Sequence, residues 1–364
     1  MTRVGLPAWL PPAAIATVMF IGFALAAGHT DHFRFCDLIR VGHFVRPSVL
    51  EPCPAHPGVI GYDGQFYFAI AHDPFLRNPD TVASLDDTLR YRRILYPVSA
   101  WLLSAGHPAL LPYTLILVNV IAAGALIAVL SAVALRSQLN PYWALLVALF
   151  GGVWMPITRD LTEPLQLVFL AAGMAAGSAG LVLLASLAKE TAAVALVTEL
   201  LRTLRARLWR QAGAFTAATI AVLGWVIFVR FFVSGARESS IFAQFLHPPG
   251  APLFVLAGTV PGEPARFLLV AGGLAICVLV VARLKFVRNP AALAAAAYAA
   301  VELGAGAANW HDTVDLYRQM AGAVVLVFIS WAQSKDRLGV IALWLGAAMG
   351  VVSMLLLALG RLPR

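Results

Sequence analysis

The stretch Gly61-Tyr-Asp-Gly-Gln-Phe-Tyr67 sets a carboxylate between two glycines, with aromatic rings close by. Glycine admits backbone angles that other residues resist, so a tight turn can hold Asp63 forward. There it is placed to accept a proton from, or to align, an attacking hydroxyl. The structural alternative is an Asp that bonds its own turn. Tyr62, Gln65 and Tyr67 add hydroxyls, an amide and ring faces for substrate contact. A second acidic site is Thr158-Arg-Asp-Leu-Thr-Glu-Pro164. Asp160 and Glu163 are three apart and share one side of a helical turn. The alternative here is a helix start, with acids on the dipole and Thr162 as its cap. Asp63, Asp160 and Glu163 are the candidate catalytic residues.

The cations come from three places. Lys189-Glu190 interrupts an apolar run; neighbours on a helix point about 100° apart, so the two cannot simply neutralise each other. Charges at such depth are functional candidates by default, the alternative being an ion pair from Lys189 to Glu302. In Asn309-Trp-His-Asp-Thr-Val-Asp-Leu-Tyr-Arg318 a helix would align His311, Asp315 and Arg318 at i, i+4 and i+7. One His beside acids is weak evidence for a metal, so no cofactor is expected and a divalent cation is not indicated. Arg318 suits an anion, because a guanidinium matches phosphate geometry. Arg92 and Arg93 are similar candidates, or else arginines snorkelling to the head-group level. No P-loop, dinucleotide fingerprint, HExxH or nucleophile elbow occurs.

The elements that must carry these groups are helices in a membrane. Of 364 residues 60% are hydrophobic and 12% charged, with a mean hydropathy of +0.82. So few charges cannot cover a soluble domain of this length. The expected architecture is one all-α polytopic membrane domain of about nine to eleven transmembrane or re-entrant helices, from runs near the roughly 20 residues a bilayer needs. Predicted spans are 8–28, 111–135, 142–157, 164–181, 212–233, 267–282, 291–307, 317–331 and 340–359. The first reads as a retained helix, being long for a signal peptide and followed by a weak cleavage site. The run 181–201, charged at its centre, is predicted to break into half-helices facing a cavity. The stretch 241–260, interrupted by Pro248-Pro249-Gly250, is expected to dip into the interface.

The formal net charge of +8 is a topological signal rather than a nucleic-acid one. Arg136, the Arg202–Arg210 cluster, Arg283/Lys285/Arg288 and Lys335/Arg337 fall in short loops and mark the cytoplasmic side. The stretch 29–110 then faces outward, with eight of the eighteen acidic residues. Within it 67–71 and 94–105 suit helices lying at the interface. Cys36 and Cys53 share this loop, either as a disulfide if the compartment is oxidising or as two free thiols.

In the order of these motifs the chain resembles the GT-C superfamily of integral-membrane glycosyltransferases. One helix is followed by a loop with an early Asp (Asp63) and two interfacial helices, the second opening Arg93-Ile-Leu-Tyr-Pro-Val98. After another span come an acid at the next external junction (Asp160 or Glu163) and the segment ending Leu187-Ala-Lys-Glu190. Tyr62–Tyr67 and Tyr91–Pro97 also resemble bacterial membrane proteins of cell-surface glycopolymer formation. A fainter likeness is to PIG-V-type mannosyltransferases, which carry Trp-Asp-Gly in the same loop. The likeness covers roughly the first 200 residues and beyond them is topological only. It implies transfer of a sugar, with inversion, from a polyprenyl-phosphate donor to a cell-surface glycan or lipid-linked acceptor. The site would face the periplasm from the bacterial inner membrane. Asp63 would deprotonate or orient the acceptor, while Arg92, Arg93, Lys189 and Arg318 would meet the phosphate charge. Donor, acceptor and membrane lipids are the implied partners, and no nucleic acid is. A flippase for a lipid-linked glycan and a non-catalytic partner in glycopolymer assembly are the alternatives.

Overall fold

Apolar runs free of internal breakers become long helices, and prolines sit where a helix begins and needs no N–H. The computed structural model describes residues 6–29, 32–49, 51–55, 60–233, 251–259, 263–305, 310 and 313–359. Among them every regular element is helical. The long first helix is α1 (Leu10–Gly28). Five short helices of the first loop follow: α2 (Cys36–Ile39), α3 (Gly64–His72), α4 (Pro79–Ala83), α5 (Leu89–Arg92) and α6 (Leu95–Leu103). Then come α7 (Leu111–Arg136), the short α8 (Leu145–Ala148) and α9 (Gly151–Trp154), α10 (Glu163–Ala176), α11 (Ala179–Ala188), α12 (Ala193–Arg205) and α13 (Trp209–Phe232). The last are α14 (Ala251–Thr259), α15 (Pro264–Ala282), α16 (Pro290–Leu303), α17 (Thr313–Ser334) and α18 (Arg337–Ala358).

Five of these are long and apolar enough to cross a membrane: α1, Pro108–Arg136, α13, Pro264–Lys285 and α18. The pair Pro141–Ala148 and Gly151–Arg159, bent by 75°, forms a broken span or a re-entrant loop where a single straight span was expected. The chain is an all-α, multi-pass membrane protein. Other apolar runs are cut short by their own residues. Gly177, at φ +62, ends α10, and the extended backbone of Lys189 ends α11. From Leu316 to Ala332 nearly every residue of α17 is buried, as an all-round apolar helix in the core should be.

Small residues set the packing. The face Ala13, Ala16, Phe20, Ala24 of α1 lies on α7. Along α18 the stripe Gly339, Ala342, Gly346, Ala347, Gly350 is buried, and the backbone carbonyl of Leu149 occupies the place of a side chain at Gly350. Close backbone approach of this kind substitutes for the hydrophobic drive that lipid removes.

The predicted break in 181–201 is present. After Ala188 the chain extends at Lys189, makes a 3-10 turn (Glu190–Ala192) and continues as α12. It also turns back: Gly177, just before α11, and Glu199 and Arg202 on α12 line one recess with Gln333. Lys189 and Glu190 are thereby carried to the end of the bundle that bears the first loop. At the opposite, basic end Arg283 forks onto Asp336 at 3.0 and 2.7 Å, and Asp336 caps α18 through Gly339 N–H at 2.7 Å. In the first loop Cys36 and Cys53 are joined, their Cα atoms 5.2 Å apart. The helices predicted over 67–71 and 94–105 correspond to α3, which is buried along most of its length, and α6. Most of 241–260 lies outside the described residues, apart from helix α14.

Candidate functional site at the loop end

Asp63 precedes α3 and makes no side-chain bond to that helix's N–H groups. The turn is tied down by others. Arg40 C=O accepts from Tyr62 N–H at 3.1 Å, Gly61 sits at φ +86, and Gly64 packs so closely that a Cβ would stand 2.6 Å from Arg159 C=O. The first glycine is required for its angle and the second for space. Gln65, expected to contact substrate, works on the turn instead. Its Oε1 accepts from Gly42 N–H at 2.8 Å and its Nε2 donates to Ile60 C=O at 3.2 Å.

Free of its own backbone, the Asp63 carboxylate meets two guanidiniums. Arg90 Nη1 and Arg318 Nη1 both lie 2.9 Å from its Oδ2. Arg318 also donates to Glu163 Oε1 at 2.7 Å and to Asp315 Oδ1 at 2.9 Å. Lys189 Nζ reaches the same Glu163 oxygen at 2.7 Å, so Lys189 pairs with Glu163 and not with Glu302. Beside this, Arg93 forks onto Glu190 at 2.9 and 2.6 Å and donates to the Tyr67 hydroxyl at 2.9 Å. Tyr62 donates to Asp315 at 3.0 Å, and its ring lies 4.8 Å from the Arg159 and 6.0 Å from the Arg318 guanidinium carbon. Residues from five stretches of the chain thus form an ionic network around Asp63 and Glu163, with the Arg93–Glu190 pair beside it.

Glu163 and Lys189 are sealed, with side chains 0% and 1% exposed, whereas Asp63 keeps 18%. Burial alone would push the Asp63 carboxyl up. Arg90, then Arg318, outweigh that and hold it well below the usual carboxylate range. Asp63 is an ionised hydrogen-bond acceptor and an intrinsically weak base.

Asp160 is set apart. It is fully buried, its backbone left-handed at φ 49, and it accepts from Tyr96 at 3.4 Å. Its Oδ2 has no partner among the described residues, and burial pushes its carboxyl well above the ordinary range. It stands outside the ion pairs that join Asp63 and Glu163 through Arg318. Arg92 is the last residue of α5 and is buried, its C=O accepting from Trp225 Nε1 at 2.9 Å. His311 lies outside the described residues. Among those described, no group of three His, Cys, Asp or Glu could hold a metal. Arg90 escaped the sequence reading, although Asp86 four residues before it on a helical turn was a signal.

A comparison with protein-family models, curated proteins and solved structures finds no match for this chain.

Proposed function

We propose that the protein is a membrane glycosyltransferase of the GT-C type. It would move a sugar from a polyprenyl-phosphate donor to a glycan or lipid-linked acceptor at the extracytoplasmic face of the bacterial inner membrane. The observation that carries this reading is Asp63 itself: an ionised, partly open carboxylate, held by two arginines at one end of a membrane bundle. In the reaction the acceptor hydroxyl donates to Asp63 while its oxygen attacks the anomeric carbon. The C–O bond to phosphate breaks on the opposite side, and polyprenyl phosphate leaves with the electron pair. A hydroxyl becomes far more acidic as its oxygen bonds to carbon, so even a weak carboxylate can take the proton late. Arg90 and Arg318 fix the carboxylate, while Lys189 and Glu163 fix Arg318. Arg93 and Lys189, paired with Glu190 and Glu163, brace the site in preference to meeting the phosphate. A transport pathway, by contrast, would need Lys189 and Glu190 available to the solute.

The test is Asp63→Asn in purified protein given labelled polyprenyl-phosphate sugar and acceptor glycan. The expected loss is about 10²–10⁴-fold in turnover, the usual weight of proton transfer, with the melting temperature and elution profile unchanged. Full transfer by the variant would remove Asp63 from the chemistry and take the reading with it.

A further inference from the structure

At the end of the bundle opposite Asp63 two acids are already taken. Asp336 holds Arg283 and Glu199 holds Arg202, each at 2.7 Å. Where α12 passes into α13, three more arginines follow within six residues: Arg205, Arg207 and Arg210. All three are exposed. None of them makes an ion pair or a side-chain hydrogen bond among the described residues.

The turn that carries them is fixed by its own backbone. Arg207 N–H donates to Leu204 C=O at 3.1 Å and Leu208 N–H to Thr203 C=O at 2.9 Å. These are the paired bonds that close a helix ending in a left-handed residue. That residue is Arg207, at φ +56, a position where glycine is the usual occupant. Positive charge at helix ends orients a chain in the membrane. Orientation, however, asks for neither a closed turn nor an arginine in a conformation that its Cβ resists. Ala206–Leu208 is the whole link between the two helices, and α12 packs along α13. Guanidiniums from both helices and from the link therefore gather over one small area.

An apolar stripe leads to this turn. Val197, Leu201 and Leu204 recur at helical spacing, Leu208 follows in the link, and each is at least 40% exposed. The other face of α12, with Ala195, Leu196, Glu199 and Thr203, is buried. Trp209 opens α13 beside the arginines and is exposed; an indole suits the boundary between hydrocarbon and head groups. Leucines along the helix and three cations at its end match the outline of a diacyl lipid with an anionic head. A guanidinium meets phosphate through parallel N–H donors, whereas an acidic protein segment would answer the charge and leave the leucines uncovered.

We propose that the turn between α12 and α13 is a binding site for an anionic phospholipid: its phosphate sits among Arg205, Arg207 and Arg210, and its acyl chains lie along the Val197–Leu208 stripe. The site is at the far end of the molecule from Asp63 and stands apart from the transferase reading, because binding is measured without any transfer.

The test is native mass spectrometry of the full-length protein in detergent, with dioleoylphosphatidylglycerol, dioleoylphosphatidylethanolamine and glycerol phosphate as separate probes. Phosphatidylglycerol should bind at least tenfold more tightly than either of the others. A cation near an anionic lipid surface is worth about fivefold in binding, so Arg205→Gln/Arg210→Gln should weaken phosphatidylglycerol about 25-fold. Glycine fits a left-handed position better than arginine does. Arg207→Gly should therefore hold or raise the melting temperature while weakening phosphatidylglycerol about fivefold, which separates lipid contact from folding. The control is Lys285→Gln/Arg288→Gln, the same charge change at another exposed basic turn, and it should alter binding less than twofold. Equal losses in the two double variants would reveal diffuse attraction to a basic surface and overturn the proposal. Equal binding of the two phospholipids overturns it as well, as does glycerol phosphate binding as tightly as the intact lipid or parental binding by Arg207→Gly.

Discussion

Removing Arg90 tests how Asp63 is tuned. Arg90 keeps 16% of its side chain exposed and also pairs with Asp86, so Arg90→Gln should cost more than the about 0.2–1 kcal/mol of an open surface pair and less than the about 3–5 kcal/mol of a sealed one. Its effect on the carboxylate is separate. An arginine in contact lowers a neighbouring Asp by about one to three pH units, equivalent to about 1.4–4 kcal/mol in ionisation free energy. In the parent Asp63 is held low, so it is charged throughout the range above pH 4 and gives kcat/KM no acid limb between pH 5 and 8. In the variant Arg318 remains, but it is shared with Glu163 and Asp315, and burial now opposes less attraction. The value moves up, so the carboxyl bands of Asp63 titrate at higher pH in the variant, and any acid limb of kcat/KM, sought below pH 5, moves in the same direction. The assay is the pH profile of donor-saturated transfer, parent against Arg90→Gln. Carboxyl infrared bands, with Asp63→Asn as the reference, read the same titration without turnover. Coincident acid limbs and unshifted bands would refute the view that Arg90 holds the carboxylate down.

Three further outcomes are expected. Glu163→Gln leaves Lys189 and Arg318 buried without their shared carboxylate and should cost about 3–5 kcal/mol, read as a large fall in melting temperature; adding Lys189→Met should recover part of it, and an unaltered melt in the single variant would contradict the buried pairing. Gly64→Ala forces a Cβ against the Arg159 carbonyl and should cost about 1–3 kcal/mol as overpacking, with transfer falling further than stability; a parental melt and rate would show that the contact yields freely. Cys53→Ser opens a 17-residue link worth about 3 kcal/mol in the loop-entropy view. Reductant should lower the parent's melt and leave the variant unmoved, and no effect of reductant would show that the link carries no stability.

Particular residues show how far the sequence could be read. The break at Lys189 was legible because two charges cannot sit at the centre of a straight apolar helix. The turn at Asp63 was legible because glycine pairs signal unusual backbone. The partners of those charges were not. Lys189 is 26 residues from Glu163, and Arg318 is 255 from Asp63; such pairings exist only once helix order in space is known. Gln65 looked like a recognition group because polarity in a glycine-rich turn invites that reading, yet its amide meets two backbone groups, Gly42 N–H and Ile60 C=O, only in the folded loop. Asp160 and Glu163 share a helical face in principle. A left-handed residue at Asp160 rotates one acid toward Tyr96 and leaves the other on the network. The bend at 149–151 had only Gly151-Gly152 to announce it.

The link between Cys36 and Cys53 encloses Arg40. Molecules made where thiols stay reduced would keep this segment only by packing and by hydrogen bonds such as Tyr62 N–H to Arg40 C=O and Gly42 N–H to Gln65. A closed first loop would then be acquired by address: only copies delivered to an oxidising compartment would hold it with a covalent link.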